Sequence, residues 1–238
     1  MAEQIELMII DDLIEEIVQG KYHANNQFPS ENELAKRYDV PRIKVRNAFL
    51  KLEDMGYLYS KQGKGRFLKP KKRQIELHLT GSSSFSEKME RAGYDLKTQN
   101  LGCEKIAYDP KIYASLNVPE DEEVYKISRL RIIDGLPIAL HNSYVAKSTF
   151  PQIEQDGDGI QSMFAYYAKQ GFTDFLSSKS HVSISFPTNT ERTLLECAPF
   201  VPLFVLQSDC IDAKRHTGLE YTKIIYRGDS FTYILTSE

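Results

Sequence analysis

The sequence predicts an α+β protein of two domains: three helices carrying a two-stranded wing, then a larger antiparallel sheet with helices packed on it. Three observations predict this. Charge is segregated, since residues 36–73 hold thirteen Lys or Arg against three acids, Asp39, Glu53 and Asp54, whereas the 238-residue chain has a formal net charge of −3. The basic stretch combines a helical apolar stripe with two short β-prone runs around a Gly-containing turn. The second half contains a weak internal repeat of helix, strand, turn and strand.

The first helix is read from Ile10, Leu13, Ile14 and Ile17, at the i, i+3, i+4, i+7 spacing of one buried face, with Gly20 as its C-terminal stop. After a loop containing Pro29, the run Ser30, Glu31, Asn32, Glu33 forms a capping box that opens a second helix through Leu34 and Ala35 to about Tyr38. Val45, Ala48, Phe49 and Leu52 repeat the helical stripe. At about 100° per residue this leaves Ile43, Lys44, Arg46, Asn47 and Lys51 on the opposite, basic side. Gly56 ends this third helix. Tyr57 to Lys61 and Arg66 to Leu68 then flank the turn Gln62, Gly63, Lys64, Gly65.

A concentrated positive face inside an acidic chain is an electrostatic footprint for a polyanion. Two helices joined by a short turn, the second with its cations outward, suit the major groove of double-stranded DNA, with Lys64 of the wing placed for backbone or minor groove.

Pro70, Lys71, Lys72 and Arg73 read as a basic linker, and Gln74 to Leu79 as a strand. Thr80 to Ser84 then precede an amphipathic helix from Phe85 to about Ala92, a start whose backbone N–H groups could hold an anion. In the run Val124 to Ile133, period-two alternation places Arg129 and Arg131 on one face with Tyr125, Ile127 and Ile133. Leu116 to Val145, around Val118-Pro119 and Gly135-Leu136, and Leu195 to Tyr226, around Val201-Pro202 and Gly218-Leu219, follow one order, which predicts duplicated helix-hairpin units with a pocket between the halves.

The runs FPSENELAKRYDV, PRIKVRNAFLKLEDMGYL and KQGKGRFL resemble the winged helix-turn-helix of GntR-family bacterial transcriptional regulators over residues 3–69. The resemblance implies DNA contacts from Arg42, Ile43, Lys44 and Arg46 at the start of the third helix, from Asn32 in the helix before it, and from Gly63, Lys64 and Gly65 in the wing. The runs RLRIIDGLPIALHNSYV, QSMFAYYAKQG and GLEYTKIIYRGD resemble the UTRA effector-binding domain of the HutC-type members, whose fold is similar to chorismate lyase. Together these give a winged helix-turn-helix over residues 1–69, a linker over 70–78, and an effector-binding and dimerisation domain over 79–238. The second resemblance implies a small-molecule site, often for a sugar phosphate, formed by Ser84, Phe85, Ser86, Arg129, Arg131, His141, Ser162, Phe164, Glu220 and Tyr226.

The chain departs from these patterns in places that matter chemically. Asn32 stands where the family usually has Arg, and Ile43 where it usually has a hydroxyl residue; an amide suits adenine or phosphate, and an outward Ile suits a thymine methyl. Pro41 replaces the usual Ser or Thr cap, fixing φ but giving no side-chain cap. His141 stands where amino-sugar binders carry Glu, and Phe164 where they carry Tyr. These changes favour a less hydroxylated or more anionic effector.

The expected partners are therefore operator DNA, a small anionic effector and a second copy of the chain, and regulation is expected to be repression. An enzyme on the second domain is the alternative, with His141 and Ser143 or His181 and Ser183 as its candidates. Cys103, Cys197 and Cys210 are too widely spaced for a disulfide framework or a zinc site, and are expected as buried thiols. No cofactor is expected. An acidic N-terminus and the lack of an apolar run of roughly 20 residues predict a cytoplasmic protein without a membrane span.

Overall fold

The computed structural model describes residues 2–70, 75–78, 84–177 and 180–234. Contacts divide the chain into two units, residues 1–74 with Cys197–Val201, and residues 75–196 with 202–238. Lys71, Lys72 and Arg73 of the expected linker, and Thr80 to Ser83 of the Ser-rich loop, lie outside the described residues.

The first unit contains α1 (Ala2–Val18), α2 (Glu31–Tyr38), α3 (Arg42–Asp54), β1 (Leu58–Lys61) and β2 (Gly65–Leu68). Its core is the apolar stripe of each helix closed by the wing strands: Ile10, Leu13 and Ile17 of α1 meet Val45, Phe49 and Leu52 of α3, with Leu34, Leu58 and Leu68 filling the remainder. Phe49 is 1% exposed, and truncating such a ring to Ala costs about 3–5 kcal/mol. The capping box is present: Glu33 N donates to Ser30 Oγ at 3.2 Å and Ser30 N donates to Glu33 Oε2 at 2.7 Å. Pro41 gives α3 no side-chain cap. β1 and β2 pair antiparallel from Leu58 opposite Leu68 to Lys61 opposite Gly65. Gly63 and Gly65 take φ of +70° and +89°, a left-handed backbone that side chains resist.

The second unit contains β3 (Ile75–His78), α4 (Phe85–Arg91), β4 (Leu96–Lys105), α5 (Pro110–Leu116), β5 (Val124–Ile133), β6 (Leu136–Ala146), α6 (Ile153–Asp156), α7 (Met163–Lys169), β7 (Phe175–Leu176), β8 (Ser180–Ser185), α8 (Asn189–Leu195), β9 (Leu203–Asp212), β10 (Gly218–Arg227) and β11 (Phe231–Ile234). A seven-stranded sheet runs in the order β4-β5-β6-β10-β9-β7, with β8 also on β9. All its pairings are antiparallel.

The internal repeat is physical. α5 leads to the hairpin β5–β6 and α8 to the hairpin β9–β10, and β6 and β10 pair at the centre of the sheet. One face is covered by an aromatic and aliphatic cluster that includes Phe150, Ile153, Met163 and Tyr167. The expectation of a single antiparallel sheet needs one correction. β3 and β11 form a separate parallel pair, Ile75 opposite Phe231, and Ile75 joins a core with Met89, Tyr226 and Phe231. Residues 75–78, expected as linker, make their backbone pairing inside the second unit.

Candidate functional sites

In the first unit the basic helix presents Arg42, Ile43 and Arg46 to solvent, together with Asn32 of α2 and Gly63, Lys64 and Gly65 of the wing. Ile43 is 54% exposed. Two acids the sequence reading did not use organise this surface. Glu31 bridges Arg42, whose Nε donates at 2.7 Å, and Arg66, whose Nη1 donates at 2.8 Å. Burial works to raise the Glu31 carboxyl, but hydrogen bonds from Arg42 and Arg66 prevail and hold it below its ordinary range. Arg66 also donates to Glu53 at 2.9 Å and lies 4.8 Å from the Phe49 ring centroid, so it braces the wing against α3.

Lys44 and Asn47 do not sit on the open side where helical spacing put them. Both are half-buried and donate to Glu6 of α1, at 2.9 Å and 3.0 Å. The contact joins residues about forty positions apart, so no local pattern reveals it. Gln27 Nε2 donates to Lys64 O at 3.1 Å, tying the wing tip to the loop before α2. The resulting surface has exposed cations at a helix start and at a turn, with an apolar side chain between them, which suits groove and phosphate contacts.

In the second unit the sheet register brings the predicted residues of both repeats onto one face. Arg131 stands opposite Ala139, which stands opposite Tyr226; Arg129 stands opposite His141, which stands opposite Ile224. Glu220 lies on the same face, opposite Cys210. Arg129, Arg131, His141 and Glu220 are all buried. Arg129 Nη2 donates to Ser143 Oγ, and Arg131 Nη1 donates to Thr98 Oγ1 and, at 3.1 Å, to Gln161 O. Ser143 and Thr98 escaped the sequence reading as partners, although Ser143 shares the alternating row of His141.

The polar cluster is incompletely satisfied. Arg129 Nε, Arg131 Nε and His141 Nε2 are buried with no hydrogen-bond partner, while the buried Tyr167 hydroxyl faces Glu220. A buried polar group without a partner costs about 1–3 kcal/mol, so the two guanidinium groups and the imidazole sit in an environment unfavourable to them unless hydrogen-bonded. Burial first, and then the charges of Arg131 and Arg129, push His141 well below the ordinary histidine range and keep the imidazole neutral. Burial, with the neighbouring Arg129 charge, also works against the Arg131 guanidinium. Burial, reinforced by Glu220, lifts the Tyr167 hydroxyl well above the ordinary tyrosine range, so it remains protonated.

Phe85 of α4 closes over this cluster. Its ring centroid is 4.9 Å from that of His141 and 6.1 Å from that of Tyr226, and Arg131 lies 5.8 Å from it. Ser84, Ser86, Ser162 and Phe164 line an open cavity of about 720 Å³ together with Ala165 and Phe175. The ten predicted residues thus fall into two groups: Phe85, Arg129, Arg131, His141, Glu220 and Tyr226 at the buried polar cluster, and Ser84, Ser86, Ser162 and Phe164 on the cavity, whose lining includes none of the other six.

The helix-start reading of Ser84 is corrected in one respect. Glu87 already closes that start, with Glu87 N donating to Ser84 Oγ at 3.2 Å and Ser84 N donating to Glu87 Oε2 at 3.1 Å. Ser162 Oγ likewise caps α7, accepting from Ala165 N at 3.4 Å. The expectation of three buried thiols holds for Cys210 alone, since Cys103 and Cys197 are half-buried. Of the alternative catalytic pairs, Ser143 is engaged by Arg129, and His181 and Ser183 lie on the exposed strand β8. No helix among the described residues is long and apolar enough to cross a membrane.

Comparison with known proteins agrees with this division. Residues 5–68 match the family described as bacterial regulatory proteins, gntR family, and residues 91–232 match the UTRA domain. The chain is 30% identical over 200 residues, 84% of its length and 81% of the relative's, to the "Probable fructoselysine utilization operon transcriptional repressor" of Escherichia coli O157:H7. It is 25% identical over 231 residues, 97% and 93% of the two lengths, to the HTH-type transcriptional repressor NagR of Bacillus subtilis. The fold is similar to that of PhnF from Mycobacterium smegmatis, with a TM-score of 0.62 and 20% identity over 96% of this chain and 99% of that one. The chain belongs to the GntR family of bacterial transcriptional regulators, in the group that joins the DNA-binding domain to a UTRA domain, and it works by effector-modulated DNA binding, not by catalysis.

Proposed function

We propose that the protein represses transcription as a homodimer on a pseudo-palindromic operator, and that a small anionic metabolite, a phosphorylated sugar in the leading case, binds the UTRA domain and changes operator affinity. The observation that carries the effector reading is the pair of buried guanidinium groups, each with an unsatisfied Nε, beside neutral His141 and the buried carboxylate of Glu220. Two cations against one acid leave the cluster net positive, and guanidinium forks match phosphate or carboxylate oxygens. Glu220 and Tyr226 add an acceptor and a phenol for substrate hydroxyls. Ser84, Ser86, Ser162 and Phe164 would hold the outer part of the ligand, and Phe85 must swing aside for a ligand to reach Arg131. The names of the relatives, which refer to fructoselysine and, for a third, to mannosyl-D-glycerate, favour a sugar-derived compound.

The DNA reading assigns base and phosphate contacts to Asn32, Arg42, Ile43, Arg46, Gly63, Lys64 and Gly65, with Lys44 able to join them only on leaving Glu6. One such helix covers only a few base pairs, so two copies on half-sites one helical turn apart supply the specificity. A melting-temperature screen with phosphosugars, sugars and small acids, followed by titration of the hit against labelled operator, tests the proposal. A ligand at 100 times its Kd adds about 2.7 kcal/mol to stability, and a coupling of about 1–3 kcal/mol changes operator affinity roughly 5- to 150-fold. Full ligand binding by Arg131→Ala, or unchanged operator affinity at saturating ligand, would refute it.

A further inference from the structure

The wing of the first unit ends in an intrinsically loose turn. Its strands are only four residues each, and Gly63 and Gly65, both with left-handed φ, flank Lys64 at the tip. Glycine has the most backbone freedom of any residue, so the hydrogen bond from Lys64 N to Lys61 O at 3.0 Å closes a turn that little else in its own sequence stiffens. Lys61, the other lysine of the hairpin, lies back along it, with Nζ 4.7 Å from the Phe67 ring centroid. Lys64 is the lysine carried at the tip, and its side chain is exposed.

Residues 25–28, just before α2, run antiparallel along β2. Asn25 N donates to Leu68 O at 3.0 Å, Phe28 N donates to Arg66 O at 2.7 Å, and Gln27 stands opposite Phe67. The Gln27 side chain extends past this backbone pairing, and its Nε2 donates to Lys64 O at 3.1 Å. The fit is close, since a Cβ on Gly65 would lie 3.2 Å from the same nitrogen. Phe28, the next residue, is buried in the core of the unit. One side chain thus ties the carbonyl at the tip to a segment that is anchored in the core and leads directly into α2. Gln27 is itself exposed and uncharged, so replacing it opens no cavity and alters no charge.

We infer that Gln27 is a positioning residue for DNA binding, which acts through Lys64 by holding its carbonyl so that the wing tip meets the DNA backbone or minor groove already ordered. A tip ordered beforehand gives up less conformational freedom on binding, and that difference appears as affinity. The inference rests on the assignment of Lys64 to DNA made above.

Gln27→Met tests it, because the variant keeps the length of the side chain and removes the donor. Fluorescence anisotropy with a random-sequence duplex across a salt series compares wild type, Gln27→Met, Lys64→Ala and the double variant, with thermal midpoints confirming that all are equally folded. Gln27→Met should bind about two- to tenfold more weakly, the worth of one neutral hydrogen bond. Its salt slope should equal that of the wild type, since no phosphate contact is lost, whereas Lys64→Ala should lower the slope by about 0.9. In the Lys64→Ala chain, adding Gln27→Met should change affinity less than about twofold. A second readout needs no DNA: NMR order parameters of residues 63–65 should fall in Gln27→Met. Wild-type affinity in Gln27→Met, or a tip as ordered as in the wild type, would overturn the positioning role while leaving Lys64 at the DNA. An undiminished loss in the Lys64→Ala chain would overturn it as well, since Gln27 would then act apart from Lys64. Wild-type affinity and slope in Lys64→Ala would overturn the wing assignment and the positioning role together.

Discussion

Lys44 Nζ lies 2.9 Å from Glu6 Oε1, and Lys51 Nζ lies 3.6 Å from the other oxygen of the same carboxylate. Hydrogen bonds from Asn47 and Lys44 hold the Glu6 carboxyl below its ordinary range, so it is charged at neutral pH. Two cations of α3 are therefore partly neutralised from within, which restrains their attraction to phosphate of any sequence.

Removing that carboxylate should release them. Glu6→Gln is expected to tighten binding to random duplex and to steepen the fall of log affinity with log salt by about one to two, since each phosphate neutralised contributes about 0.9 to the slope. Fluorescence anisotropy with nonspecific DNA across a salt series checks this. An unchanged slope would mean that Lys44 and Lys51 stay away from phosphate in either case.

Arg42 and Arg46 are exposed at the start of α3, whereas Lys64 sits at the wing tip. Arg46→Ala should lower operator affinity by about 1–3 kcal/mol while sparing random DNA. Lys64→Ala should weaken both more evenly. Arg42→Ala carries a second effect, because it frees Glu31 to repel the backbone; Arg42→Gln with Glu31→Gln separates the two. Competition assays with operator and scrambled duplex decide the matter, and arginine variants that retain full discrimination would remove α3 from the reading role.

Gly157 is packed so closely that an added Cβ would lie 2.3 Å from Cys103 Sγ and 2.5 Å from Cys103 Cβ. Gly157→Ala should destabilise the protein by about 1–3 kcal/mol, the usual cost of overpacking. Cys103→Gly in the same chain should recover more of this than Cys103→Ala, because only the glycine removes both offending atoms. Denaturant midpoints of six proteins, the wild type, Gly157→Ala, the two Cys103 single variants and the two double variants, form the cycles that test the pairing.

His141 also makes stability depend on pH. Its folded pKa lies well below 6.5, while in the unfolded chain it titrates near 6.5. Below that value the unfolded state binds a proton that the folded state refuses. Stability should therefore fall as pH drops from about 7 to 5, with a slope of at most about 1.4 kcal/mol per pH unit. Carboxylates held low act elsewhere: Glu16, brought down to about 2 chiefly by its hydrogen bond from Arg37, loses its contribution only below about pH 4.5. His141→Asn should flatten urea midpoints between pH 7.5 and 5.5. An equal slope in the variant would assign the effect to another group.

Local physics was legible in the sequence, and long-range pairing was not. The Ser30–Glu33 box, the Val45 to Leu52 stripe and the shared face of Arg129 and Arg131 depend on spacings of two to seven residues, which helix and strand geometry fix. Glu220 and Tyr226 share a strand face for the same reason. Glu6 under α3 and Thr98 beside Arg131 depend on tertiary packing, for which a single sequence has no period. Ser84 is a different case. Ser84 and Glu87 are three residues apart, the local spacing of a capping box, and the cap uses backbone N–H groups at the same helix start that an anion would need.

The parallel pairing of β3 with β11 has an architectural consequence. The first and last strands of the second unit lie side by side, Ile75 against Phe231 and His78 against Ile234, so its entry and exit are roughly 10 Å apart at the usual strand rise. A module whose ends lie this close can be reconnected at its ends without stretching its sheet, but Cys197–Val201, which group with the first unit, would travel with it. The same sensor could then be fused behind a different DNA reader at the junction before Ile75, and such a chimera would inherit its ligand while changing its address on the chromosome.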